Sequence, residues 1–161
     1  MNMDLEQQII LSAIVITLLL LLFAVNWRYF RDWVVVFLLQ GYLDFLWGSP
    51  IVNLHLLEYP TRILPLYYNT NILFELWVFP TLCILYNQIT REKGLKPIIF
   101  YALFFSAMLT AIEYPLELYT TLIKYMDWSW YTTFGTLTLT FLFSRLFIAF
   151  FRWGCYYFNE N

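Results

Sequence analysis

Four carboxylates, Asp44, Glu75, Glu113 and Glu117, lie within apolar stretches of this chain, where a charge is costly. An ionised side chain at the centre of a membrane helix costs about 2.5–3.5 kcal/mol on insertion scales, so each needs a physical reason. Gln40 and Asp44 are four residues apart and share a helix face. Ser106, Thr110, Glu113 and Glu117 follow in steps of four, three and four, which makes one polar stripe. Pro115 withholds a helical donor beside Glu113, and Pro80 does the same near Glu75. Both are expected to open the helix locally.

Asp44, Glu75 and Glu113 fall at similar depth, together with Tyr42, Trp47, Tyr59, Trp77, Tyr114 and Tyr119. An acidic cavity with aromatic walls holds a cationic or amine-bearing ligand by charge and cation–π attraction. Close carboxylates in low dielectric also share protons, so a proton site is the companion expectation. The competing account is a polar network that orients helices, with the acids paired to Arg62, Lys124 or tyrosine hydroxyls. Glu117, nearest the helix end, is expected to be hydrated. Arg62 and Glu58 flank Pro60, and Arg62 is the expected counter-ion for the acidic helices. His55 is the only histidine. With Cys83 and Cys155 it cannot build a common structural zinc site, so no metal or cofactor is expected.

The fifth apolar stretch carries Thr132, Thr136, Thr140 and Ser144 at steps of four, with Gly135 beside them. Small residues let helix backbones approach in lipid, so this ridge is expected to be a packing interface, within the bundle or with a partner. Arg145 adjoins it, and either snorkels or pairs inside the bundle.

Such residues must be positioned by elements suited to lipid. Hydrophobic residues make up 61% of the chain and charged ones 12%. A soluble domain has about 25% charged residues and cannot hide this much apolar surface. With a net charge of −2 and no basic run, nucleic acid is not an expected partner. About 20 apolar residues span the hydrocarbon layer. On that measure the chain reads as all-α, one transmembrane domain over 1–161 with helices near 5–25, 29–48, 71–89, 97–124 and 130–153. Residues 49–70 contain Pro50, Pro60 and Pro65 among several leucines, which predicts an interfacial or re-entrant hairpin. Glu58-Tyr59-Pro60 recurs as Glu113-Tyr114-Pro115, too short an echo to establish a repeat.

Arg28, Arg31, Arg91, Lys93, Lys96 and Arg152 gather on one side, and Arg62 and Lys124 on the other. The richer side is expected in the cytoplasm, so the N-terminus is outside and the C-terminus inside. The acidic residues and the hairpin then lie in the outer half.

Around Asp44, Glu58-Tyr59-Pro60-Thr61-Arg62, and Asn71 through Glu75 to Pro80, the chain resembles a loose family of small polytopic membrane proteins of spore-forming Gram-positive bacteria. The resemblance spans the chain from the second helix onward. It implies a bacterial plasma membrane and a compact helical bundle, and brings no activity or site residues with it. Phosphate-binding glycine loops, serine nucleophile elbows and paired-histidine metalloprotease motifs are missing. Three function classes follow. One is a non-catalytic membrane component that binds a partner protein, a second copy or lipid. Another is a small binding or transport module for a cationic solute or protons. The third is a lipid-modifying membrane enzyme.

Overall fold

The computed structural model describes residues 4–159 and is all-α apart from one two-stranded ladder; the single-domain reading over 1–161 extends past these residues at both ends. The helices are α1 (Leu5–Leu19), α2 (Phe30–Asn53), α3 (Phe79–Thr90), α4 (Leu95–Tyr119) and α5 (Trp130–Asn159). A π turn, Leu20–Ala24, prolongs α1, and a second π turn, Phe74–Val78, leads into α3. Among the described residues, four helices are long and apolar enough to cross a membrane, namely Leu5–Ala24, Trp27–Asn53, Leu95–Tyr119 and Trp130–Phe158. The chain is a polytopic helical membrane protein. The remaining helix, α3 with its π turn, is shorter than these four and carries Glu75, Asn87 and Gln88.

Its position explains why that is tolerated. Phe79, Pro80, Thr81, Leu82, Cys83, Ile84, Tyr86, Asn87 and Thr90 are all buried, so α3 is the centre of the bundle. A helix sheathed by other helices can carry polar side chains if each finds a partner. Thr81 donates to the Trp77 carbonyl (2.7 Å), Thr90 to that of Tyr86 (2.7 Å), and Asn87 to Ser144 Oγ of α5 (3.0 Å). Phe141 of α5, fully buried, is the aromatic hub of the core. Its ring centroid lies 5.1 Å from those of Phe79 and Tyr86 and 5.6 Å from that of Phe105 on α4.

The peripheral helix is α1. Most of it is exposed, and its buried Thr17 accepts a hydrogen bond from Trp77 Nε1 (2.9 Å). At its far end Gln88 of α3 holds the turn into α2, accepting from Asn26 N (2.7 Å) and donating to the Ala24 carbonyl (2.9 Å). Near its start Glu6 accepts from Thr121 Oγ1 of the α4–α5 loop. The beginning of α1 and the end of α5 therefore lie at opposite ends of the bundle.

Three boundaries differ from the sequence reading. Helix α2 does not stop at Gly48; it continues through Pro50 to Asn53, and Leu54 N closes on the Pro50 carbonyl (2.9 Å). Helix α4 ends at Tyr119, not near Lys124, with Thr120 extended and its hydroxyl turned back to the Leu116 carbonyl (2.6 Å). Helix α5 runs on past Trp153 to Asn159. The two Glu-Tyr-Pro triplets share no structure, since one lies at a strand end and the other inside α4.

Residues 54–71 do not form a self-contained hairpin. Strand β1 (Leu57–Glu58) pairs antiparallel with β2 (Lys124–Tyr125) from the α4–α5 loop, in the register Leu57 with Tyr125 and Glu58 with Lys124. The pairing continues through Thr61 N to the Thr121 carbonyl (2.9 Å) and through Met126 N and Asp127 N to the Leu56 carbonyl (both 3.1 Å). Leu57, Leu122 and Ile123 are buried beneath this joint cap. Two loops far apart in sequence thus satisfy each other's backbone groups where no helix is available to do so.

Candidate functional site

Beneath the cap lies a cavity of about 640 Å³. Its lining includes Leu43, Asp44, Trp47, Gly48 and Ile51 from α2, Phe74, Glu75 and Phe79 from the α3 segment, and Glu113 from α4. Helix α5 adds Thr133, Thr136, Leu137, Leu139, Thr140 and Phe143, and the cap adds Leu57, Tyr59 and Trp128. Asp44, Glu75 and Glu113, separated by up to 69 positions in sequence, thus line one space.

Each carboxylate is held differently. Asp44 Oδ1 accepts from Gln40 Nε2 (2.8 Å), the i, i+4 pair read from the sequence, and Gln40 is fully buried. Glu113 Oε1 accepts from Tyr125 Oη (2.5 Å) and from Thr133 Oγ1 (2.9 Å), so one oxygen ties α4 to the cap and to α5. Trp128 Nε1 donates to the same threonine hydroxyl (2.8 Å). Glu75 is carried by the π turn and is itself buried. Pro80 offers no donor to the Leu76 carbonyl, and the widened turn just ahead of it is where the ladder adjusts. Gly48 of α2 makes room for the Glu75 carboxylate, and a Cβ there would overlap it.

The charge balance is one-sided. No lysine, arginine or histidine is among the lining residues. Asp44 Oδ2 and Glu75 Oε2 are buried and have no hydrogen-bond partner among the described residues. Buried acids without a counter-charge must be neutralised by protons or by a bound cation.

Arg62 is not that counter-charge, contrary to the expectation from sequence. It donates to the backbone carbonyls of Tyr59 (2.5 Å) and Tyr68 (2.8 Å) and so braces the cap from within. Glu58 pairs with His55 (3.8 Å), not with Arg62. Glu58, Arg62 and His55 line a separate cavity of about 310 Å³ on the cap. Lys124 belongs to β2 and likewise stays out of the acidic lining.

The aromatic walls differ in part from expectation. Trp47 and Tyr59 line the cavity. Tyr42, Tyr114 and Tyr119 are exposed on the outer surface, because their offsets of two, one and six residues from the acids turn them to other helix faces. Trp77 is committed to Thr17 of α1. Glu117 is outside the lining. The α5 ridge divides similarly. Thr136 and Thr140 face the cavity, Thr132 hydrogen-bonds with Ser129 (2.8 Å), and of the four only Ser144 is buried in the bundle. The buried face of α5 runs one position round, through Thr133, Leu137, Phe141, Ser144 and Ile148. Thr133, Trp128 and Tyr125 were not singled out in the sequence. Thr133 does precede Leu137 and Phe141 at steps of four, which was the legible signal.

Comparison with protein-family models, with curated proteins and with solved structures finds no match to this chain. The fold and site define a polytopic helical membrane protein with an acidic cavity under a cap of two paired loops.

Proposed function

We propose that this chain is a membrane-embedded binding module for an organic cation with an apolar body. The observation that carries the reading is the cavity in which Asp44, Glu75 and Glu113 converge with no basic side chain among its lining residues. Carboxylates splayed to the rim of the bundle would have favoured a purely structural role or a partner surface. The volume suits a small organic molecule, and the remaining walls are mostly apolar and aromatic. Trp47, Tyr59 and Trp128 are aromatic lining residues that can attract a cation besides the acids. The exposed lining residues, Trp47 on α2 with Thr136, Leu139 and Phe143 on α5, mark a mouth between those helices. A mouth at that position favours an amphiphile that arrives through the lipid. In the absence of ligand, protons neutralise the acids, so ligand and protons compete.

The lysine and arginine asymmetry supports a plasma membrane orientation with the cap and N-terminus outside and the C-terminus in the cytoplasm. The resemblance to small membrane proteins of spore-forming Gram-positive bacteria supports the same compartment.

The test is titration of the purified chain, in neutral detergent, with tetraphenylphosphonium and with the neutral triphenylphosphine oxide. Quenching of Trp47 and Trp128 provides the signal. Saturable binding of the cation is expected. The neutral probe, and the combined Asp44→Asn, Glu75→Gln and Glu113→Gln variant, should bind at least about tenfold more weakly, a loss of ~1.4 kcal/mol. Affinity should fall with decreasing pH as protons take the acids. Equal binding of both probes, or no effect of the amides, would reject the reading.

A further inference from the structure

The opposite end of the bundle holds a cluster of the reverse sign. Asp32, in the first turn of α2, is buried, and one of its oxygens takes two arginines. Arg91 Nη1 lies 3.1 Å and Arg152 Nε 2.8 Å from Asp32 Oδ2. A third arginine, Arg145, donates through Nη2 to the carbonyls of Arg91 (3.0 Å) and Thr90 (3.3 Å). It thereby satisfies orphan acceptors at the C-terminus of α3. Arg145 is close enough to Arg91 and Arg152 for the three cations to repel one another. Among the described residues, Asp32 is the one carboxylate ion-paired within this group of three guanidiniums.

Two donors in this cluster have no use within the described residues. Arg145 Nε and Arg152 Nη2 are buried and unpartnered. A guanidinium N–H withdrawn from water and left without an acceptor is costly, and here two belong to adjacent cations. The cluster is nevertheless reachable, since the Arg91 and Arg152 side chains are each 23% exposed. Exposed Trp27 and Trp153 flank it in sequence, as indole rings do at headgroup depth. Arg28, Arg31, Lys93 and Lys96 belong to the same end of the bundle. Basic pockets between helix ends at this depth suit phosphate-bearing headgroups.

We infer that Arg91, Arg145 and Arg152 form a binding site for a phosphate group, supplied by the headgroup of an anionic phospholipid. The site is independent of the acidic cavity. Asp32 orients two of the arginines and limits the net charge, the exposed edges of Arg91 and Arg152 receive the phosphate oxygens, and Arg145 adds its positive charge from behind them.

The test measures thermal unfolding of the full chain in neutral detergent with added phosphatidylglycerol, phosphatidylcholine or inorganic phosphate. Phosphatidylglycerol is expected to raise the midpoint and phosphatidylcholine to leave it in place. Arg145→Gln should weaken the phosphatidylglycerol effect about fivefold in half-saturating concentration, the value of one cation near a charged surface. Asp32→Asn should strengthen it by removing the competing carboxylate while keeping an acceptor for Arg152. Should Arg145→Gln fail to fold, Arg91→Gln provides the same comparison. Stabilisation by inorganic phosphate alone, equal to that by phosphatidylglycerol and lost in the same variants, would keep the phosphate site and overturn its lipid source. Equal effects of the two lipids, or a phosphatidylglycerol effect indifferent to both substitutions, would overturn the site.

Discussion

Gly48 and Glu75 face each other across the contact of α2 with the α3 segment so closely that one methyl group on residue 48 would overlap the Glu75 carboxylate. The glycine is therefore a seat for an acid. Gly48→Ala should displace the flexible end of Glu75, not the helix backbone. The expected stability loss is under about 1 kcal/mol, below the ~1–3 kcal/mol of overpacking a rigid core. Tetraphenylphosphonium binding should weaken clearly. Thermal unfolding and the binding titration, made on the same preparation, separate the two effects.

Glu113 holds α4, α5 and the cap through one oxygen. Glu113→Ala leaves the Tyr125 and Thr133 hydroxyls without their acceptor and should cost about 1–3 kcal/mol. Glu113→Gln retains an acceptor and should cost less, while losing the ability to ionise. A melting midpoint that drops equally in both variants would show that the negative charge, not the hydrogen bonds, holds this junction.

Arg62 braces the cap and takes no part in the acidic cavity. Arg62→Met should speed amide hydrogen exchange across residues 56–71 and 120–127 and leave exchange in α3 unchanged. Cation binding should persist. A collapse of binding in this variant would place Arg62 in the site after all.

The two cysteines report on burial and orientation. Cys83 is fully buried and Cys155 half-buried. In intact cells a membrane-permeant maleimide should label Cys155 and spare Cys83, and an impermeant one should label neither. Labelling of Cys155 by the impermeant reagent would invert the orientation.

The sequence alone determined the class of solvent and the kind of element. An apolar content of 61% with 12% charge leaves lipid as the only surrounding in which this chain satisfies its surface, and lipid permits helices because they close their own backbone hydrogen bonds. It also singled out Asp44, Glu75 and Glu113, because a charge in an apolar run is conspicuous whatever the fold. Helical spacing was local enough to give the Gln40–Asp44 pair. It could not give the partners of Arg62, which turned from the acids to carbonyls of its own loop, because a loop's path is set by what its backbone can bond to. It could not give the strand ladder between residues 57–58 and 124–125, whose halves lie in different loops. Nor could it find the arginine cluster on Asp32, since Arg91, Arg145 and Arg152 meet only when α3 and α5 pack side by side. Which charges meet, and which stay unmatched, depends on distances between helices, and only tertiary packing sets those.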